Sequence, residues 1–260
     1  MHLSKSIALV IPARNEALSL PAVLGALPGL VDRCLVVDNG STDATAEVVR
    51  DFGAEVVYEP CPGYGRACLA GLAALRDDPP DIVAFADADG SDDLSRLVQL
   101  IEPLSGGQAD FALANRIPTE NRALSPQQRF GNGLATRLIR LFWGFHYGDL
   151  GPMRALTWDA LDRLEMGDEN FGWTVEMQIH ALQKGLRIRQ VASPYRPRLA
   201  GRSQISGTLR GVAGAGGKIL WVIGREALRE RVKRVRLLSV VGLSRFGAGR
   251  RPAERPGRND

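Results

Sequence analysis

Ile82-Val83-Ala84-Phe85-Ala86-Asp87-Ala88-Asp89-Gly90 joins an apolar run, too short for a typical helix, to two carboxylates and a glycine. Such a run reads as a buried strand that delivers both acids to a loop at its carboxyl end. That is where open α/β sheets bind ligands. Two carboxylates one residue apart repel each other. The arrangement becomes favourable when a divalent cation sits between them, or when one accepts hydrogen bonds from a ligand hydroxyl. The stretch therefore predicts a Mg²⁺ or Mn²⁺ site on Asp87 and Asp89 that holds a diphosphate. An ordinary Asp/Gly turn is the competing reading, and the flanking chain has to decide between them.

Working outward, residues 6–11 form an unbroken β-type run that ends at Pro12-Ala13-Arg14-Asn15-Glu16, and residues 17–27 read as a helix with Pro21 in its first turn. Residues 34–37 are the next apolar run and lead into Asp38-Asn39-Gly40-Ser41-Thr42-Asp43, where Ser41 or Thr42 is expected to cap a helix over 44–52. A third strand over 55–58 precedes a loop with Gly63 and Gly65, a helix from about Arg66, the strand that ends in the two acids, a helix over 94–101 and a strand over 111–114. Strands alternating with helices imply parallel βαβ units with right-handed crossovers. The loops that follow the strands then gather on one sheet edge. Asp38, the 63–66 loop and Asp87/Asp89 converge there, and a lone acidic turn would not need such neighbours.

Beyond Arg116 the pattern changes. Residues 118–126 are polar, and 127–145 are amphipathic, with Leu134, Leu138, Leu141 and Phe142 at helical spacing for a core. A break at 148–152 is followed by a short helix capped by Thr157, a helix over 173–184, a strand-like 186–191, a basic loop over 195–204 and a helix-prone 208–233. The composition after about Phe246 predicts disorder.

With 45% hydrophobic residues in 260, the chain can bury a sizeable core. Its net charge of +4 resides in the tail, because residues 225–260 hold eleven Arg and Lys against four acids. A near-neutral body argues against a nucleic-acid groove, whereas the tail suits anionic lipid. Cys34, Cys61 and Cys68 lack metal-ligand spacing and suit reduced thiols. No signal peptide is visible. The glycine-rich segment 211–224 is too short to span a bilayer but can lie on one. The expectation is a cytoplasmic protein able to touch the inner membrane face.

Ile11-Pro12-Ala13-Arg14-Asn15-Glu16, Val37-Asp38-Asn39-Gly40-Ser41-Thr42-Asp43, Gly63-Tyr64-Gly65-Arg66-Ala67 and Asp87-Ala88-Asp89 follow one another here as they do in family-2 glycosyltransferases. The chain resembles that family over about residues 6–220, nearest to the bacterial group similar to dolichol-phosphate mannose synthase. The resemblance implies a GT-A fold, with a Rossmann-like, mostly parallel sheet flanked by helices. One domain would cover 1–224, with a nucleotide-sugar half (1–116) and a helical acceptor half (117–224), ahead of the basic tail (225–260). It implies a UDP- or GDP-sugar donor, with Pro12, Arg14, Asn15, Glu16 and Asp38 at the base and ribose. Gly65 and Arg66 would lie near the nucleotide, Asp87 and Ala88 at the ribose or metal, and Asp89 on the Mg²⁺ or Mn²⁺ that bridges the diphosphate.

In the carboxyl half, Phe171-Gly172-Trp173-Thr174-Val175-Glu176 resembles the segment that carries an acid near the acceptor, so Glu176 is a candidate base, with Asp149 the second candidate for sugar or acceptor contact. Both also suit bland roles, as a helix-surface carboxylate and a turn former. Arg198-Leu199-Ala200-Gly201-Arg202-Ser203-Gln204 looks like the family's phosphate-closing loop, with Arg198, Arg202 and Ser203 in place and Gln204 where a Lys is usual. The implied reaction is transfer of a hexosyl unit with inversion; segment 211–224 and the basic tail favour a lipid-linked phosphate or another membrane lipid as acceptor, with a soluble small molecule or glycan as the alternative. A sugar-nucleotide pyrophosphorylase would need a glycine-rich loop where residues 12–16 stand, and a degenerate binding protein would not need both acids.

Overall fold

The computed structural model describes residues 5–201 and 209–246, with side chains described over 5–201 and 214–232. Seven strands form one sheet in the order β3-β2-β1-β4-β6-β5-β7. In chain order these are β1 (Ile7–Ala13), β2 (Arg33–Asp38), β3 (Glu55–Tyr58), β4 (Ile82–Phe85), β5 (Phe111–Pro118), β6 (Arg154–Thr157) and β7 (Ile188–Tyr195). The helices are α1 (Leu20–Gly25), α2 (Thr45–Asp51), α3 (Tyr64–Ala74), α4 (Leu97–Ser105), α5 (Pro126–Trp143), α6 (Trp158–Leu164), α7 (Trp173–Gln183) and α8 (Leu209–Phe246). The described residues up to Ile223 form one compact unit, and those from Gly224 form a second. In the second unit, Glu226 holds Arg225 at 2.8 Å and Arg229 at 2.9 Å.

Alternation along the strands makes two apolar layers, as a sheet covered on both faces requires. Val10, Val37, Val83 and Phe85 point to the layer that holds α3, α5 and α7, and Phe85 meets Trp173 edge-on at 6.1 Å between centroids. Leu9, Ile11, Val36 and Ala84 point to the layer that holds α1 and α4. β1, β2, β3 and β4 are mutually parallel, so the ends of β1, β2 and β4 share one edge.

The sheet is mostly parallel as expected, and its antiparallel member is β6, which runs between β4 and β5 and was not read as a strand from the sequence. Its first residue explains why it goes unseen in sequence. Arg154 is fully buried, and its guanidinium donates to the carbonyls of Gly151, Pro152 (3.2 Å) and Thr174 (3.0 Å). A charged residue after Gly-Pro does not look like a central strand. Thr157 caps the following helix as expected, accepting from the Ala160 N–H.

Two other local expectations change. Ser41 and Thr42 do not cap α2. They bind Asn15 instead, while the Asp43 carboxylate accepts from the Thr45 N–H at 3.0 Å. On α5, Leu141 and Phe142 are exposed, and the buried positions are Ala135, Thr136 and Ile139.

The first turn of α3 begins at Tyr64 rather than Arg66, because Gly65 lets the 167–172 loop approach its backbone. A Cβ at Gly65 would stand 1.9 Å from the carbonyl oxygen of Asp168. Gly65→Ala is therefore expected to destabilise the fold by about 3 kcal/mol, the upper end for overpacking. Chemical denaturation should show a lowered midpoint with an unchanged slope; an unchanged midpoint would refute the packing role.

Candidate active site

One cavity of about 490 Å³ opens at the carboxyl ends of β1, β2 and β4. Pro12, Ala13, Arg14 and Glu16 form one wall, Asn39 with Gly63 and Tyr64 a second, and Asp87, Ala88 and Asp89 the floor. Arg116, Tyr195 and Arg198 close it from the end of β5 and from β7, while α5, the start of α7 and α8 extend it. Seven residues singled out from sequence thus meet: Pro12, Arg14, Glu16, Asp87, Ala88, Asp89 and Arg198.

The acids are held by few hydrogen bonds and by burial. Asp87 accepts from the Tyr64 hydroxyl at 3.3 Å, and its own N–H donates to Asp92 Oδ2 at 3.3 Å. Burial, then the neighbouring Asp89 and Asp92, push the Asp87 carboxyl well above the usual range. Burial likewise lifts Asp92 to about 7. Burial and repulsion thus disfavour the charged forms of Asp87 and Asp92, and a cation beside them would favour those forms. Asp89 Oδ1 accepts from the Ser91 N–H at 2.9 Å, and its Oδ2 lies 3.3 Å from the Arg198 guanidinium. The same guanidinium donates to Glu16 Oε1 at 2.8 Å, and Glu16 Oε2 accepts from the Ser19 hydroxyl at 2.7 Å. Burial raises the Glu16 pKa against the lowering pull of Ser19 and Arg198.

Arg14 lines the cavity with its Nε buried and without a hydrogen-bond partner. A buried donor left unmade is costly, so a ligand acceptor suits this point.

Other residues read from the sequence support the cavity from behind. Asn15, at φ 57°, accepts the Thr42 N–H at 2.7 Å and donates its own N–H to Ser41 Oγ, which ties the β1 and β2 loops together. Asp38 accepts the Ser41 N–H at 2.8 Å and lies off the lining, which its neighbour Asn39 joins instead. Asn39 also fixes the 59–63 loop, donating to the carbonyls of Glu59 and Cys61 and accepting from the Gly63 N–H. Gly65 and Arg66 are off the lining too, and Arg66 pairs with Glu169 on the surface.

Asp149 is buried behind Arg116. It takes Arg116 Nε at 2.6 Å, Nη2 at 2.9 Å and the backbone N–H at 3.0 Å. The guanidinium then lies 5.1 Å from the Tyr195 ring centroid. Glu176 is 3% exposed and also off the lining. Its Oε2 accepts from the N–H groups of Gly167 (3.0 Å) and Asp168 (2.7 Å), which shapes the loop that delivers Phe171 to the cavity. Arg202 and Ser203, with Gln204, lie outside the described residues.

Sequence reasoning missed Asn39, Tyr64, Asp92 and Arg116. Arg116 had a usable signal, since it follows the strand-like 111–114 run and strand ends carry the ligands. Among the described residues, no three His, Cys, Asp or Glu side chains gather into a ready metal cage. No described helix is long and apolar enough to cross a membrane.

Known proteins resemble the chain in sequence and in fold. The sequence model of glycosyl transferase family 2 matches residues 8–158. An uncharacterized glycosyltransferase of Mycobacterium tuberculosis is 39% identical over 206 residues, covering 79% of this chain and 92% of the relative. A dolichyl-phosphate hexose transferase of Haloferax volcanii is 31% identical, covering 86% of this chain and 96% of that protein. Among solved structures, glucosyl-3-phosphoglycerate synthase of M. tuberculosis in complex with Mn²⁺, UDP and phosphoglyceric acid superposes with a TM-score of 0.68 at 23% identity, over 86% of this chain and 79% of that one. That likeness speaks for the GT-A fold.

Proposed function

The chain belongs to glycosyl transferase family 2, and from that premise we propose that it moves a hexosyl unit from a UDP- or GDP-sugar to a lipid-linked phosphate, with inversion at the anomeric carbon. The observation that carries the donor half is the meeting of Asp87 and Asp89 with Arg14, Glu16 and Arg198 in one cavity. Asp89, with Asp87, would hold Mg²⁺ or Mn²⁺. Two carboxylates are what Mg²⁺ ordinarily takes from a protein when phosphates complete its shell. Bound there, the cation neutralises charge developing on the leaving nucleoside diphosphate. Pro12, Arg14 and Asn39 face the base, with the Arg14 Nε as its free donor. Glu16 and Asp38 would hold the loops around the ribose, with Asn15 as their tie, while Gly65 and Arg66 would act only through the 167–172 loop that they hold. Arg198, followed by Arg202 and Ser203, supplies cationic and hydroxyl donors to the diphosphate.

An acceptor phosphate is already ionised and needs no base. Arg116 would hold it, aimed by Asp149, while Glu176 acts as a positioning residue through the 167–172 backbone. A lipid acceptor is favoured by apolar side chains left in solvent beside the cavity helices: Phe130, Leu141 and Phe142 on α5, and Leu220 and Trp221 on α8. The dolichyl-phosphate hexose transferase points to the same acceptor class. The fold neighbour that binds phosphoglyceric acid keeps a soluble phosphorylated acceptor as the second reading. Either way we place the enzyme in the cytoplasm, touching the inner membrane face when the acceptor is a lipid.

Incubation with UDP-glucose or GDP-mannose, Mn²⁺ and polyprenyl phosphate is expected to yield labelled glycolipid. Label passing only to 3-phosphoglycerate would replace the lipid reading with the soluble one. Tight nucleotide binding without transfer to any acceptor would leave a binding protein. Deleting residues 248–260 should leave turnover on a detergent-dispersed acceptor intact and lower partition onto anionic liposomes; unchanged partition would remove the tail from the membrane contact.

A further inference from the structure

Glycine in a helix interior is unfavourable relative to alanine, so each one there asks for a reason. Gly71 on α3 has one, because its Cβ would stand 2.5 Å from Val10 Cγ1. Gly131 on α5 and Gly216 on α8 have no such reason: a Cβ on either would meet no protein atom within 4 Å. Both line the cavity, Gly131 between Gln128 and Asn132, Gly216 beside Ala215 and a turn before Ile219. Space that the protein leaves open on two separate helices of one cavity is space for a ligand. The helix faces that border it carry amides and small apolar groups and no charge, unlike the donor end with its acids and arginines.

We propose that Gly131 and Gly216 set the width of the passage through which the acceptor reaches the sugar, and that the acceptor portion lying between them is an uncharged chain behind its phosphate. The proposal rests on the lipid-phosphate reading above. Asn132 anchors this wall by accepting the Leu150 N–H at 2.9 Å, next to the loop that carries Asp149, and Arg116 lines the same cavity.

The physics of glycine makes the test clean. Gly131→Ala and Gly216→Ala raise helix propensity and are expected to raise Tm, while Gly131→Val and Gly216→Val narrow the passage further. Transfer to polyprenyl phosphate should fall modestly in the alanine variants and at least tenfold in the valine variants. Nucleotide affinity and slow donor hydrolysis to water should not change. Gly217→Ala is the control. Gly217 also meets nothing within 4 Å but lies off the cavity, so its substitution should leave transfer unaltered.

Unchanged transfer in both valine variants, or nucleotide affinity lost in step with transfer, would overturn the proposal. A wild-type enzyme that glycosylates no lipid phosphate refutes the acceptor class instead. The same variants are then assayed on 3-phosphoglycerate, and unaltered turnover there would sink the passage as well.

Discussion

Asp89→Asn is expected to lower metal-dependent turnover by about a thousandfold, because the amide cannot neutralise the cation and several kcal/mol of transition-state stabilisation go with it. The fold should tolerate the change. Asp89 Oδ1 accepts only the Ser91 N–H among described hydrogen bonds, and an asparagine oxygen accepts the same bond. The diagnostic result is a loss of kcat/KM together with a loss of Mn²⁺-dependent nucleotide affinity, measured by titration calorimetry with and without the metal. A variant that kept wild-type Mn²⁺ dependence would show that the acids of the β4 loop do not hold the cation.

Asp149→Ala is the second large effect, and it arrives by another route. The Arg116 and Asp149 side chains are 13% and 5% exposed, and removing one partner leaves a charge without its counter-ion in a poorly solvated place. Loss of one partner from such a pair costs about 3–5 kcal/mol. The denaturation midpoint should fall accordingly, and the acceptor KM should rise far more than the donor KM, because Arg116 loses the fork that aims it. Asp149→Asn and Asp149→Glu separate the two roles. The amide keeps acceptors for part of the network but removes the charge, and Glu restores the charge at a longer reach. If donor and acceptor KM rose together in all three variants, Asp149 would be a purely structural residue.

The side of the cavity with the acids and arginines was legible because its chemistry lies where the chain rule puts it. Parallel strands end in loops on one edge, and Arg14, Glu16, Asp87 and Asp89 sit in those loops. The opposite side of the cavity follows no such rule. Its lining comes from one face each of α5 and α8 and from a short segment before α7, and which face turns inward depends on tertiary packing. Helical spacing assigned Leu141 and Phe142 to a core, yet the inward positions of α5 are Ala135, Thr136 and Ile139. Buried charges were the other blind spot. Arg154 hid a central strand, and Asp149 and Glu176, read as candidates for substrate contact with a turn former and a helix-surface carboxylate as the competing readings, both accept hydrogen bonds from within the protein. Their residue types suggested chemistry; what the pattern did not show is their burial and their hydrogen bonds to Arg116 and to the 167–168 backbone.

The bridge from Arg198 to Glu16 and Asp89 changes how donor binding should be counted. A guanidinium already stands among the acids of the cavity. If Asp87 and Asp89 hold the cation and Arg198 the diphosphate, as proposed, donor binding would be an exchange of ion pairs rather than an addition: the acids would pass to the metal and the guanidinium to the phosphates. The local charge balance would then stay nearly level, and Arg198 would have its former partners to return to once the nucleoside diphosphate had left.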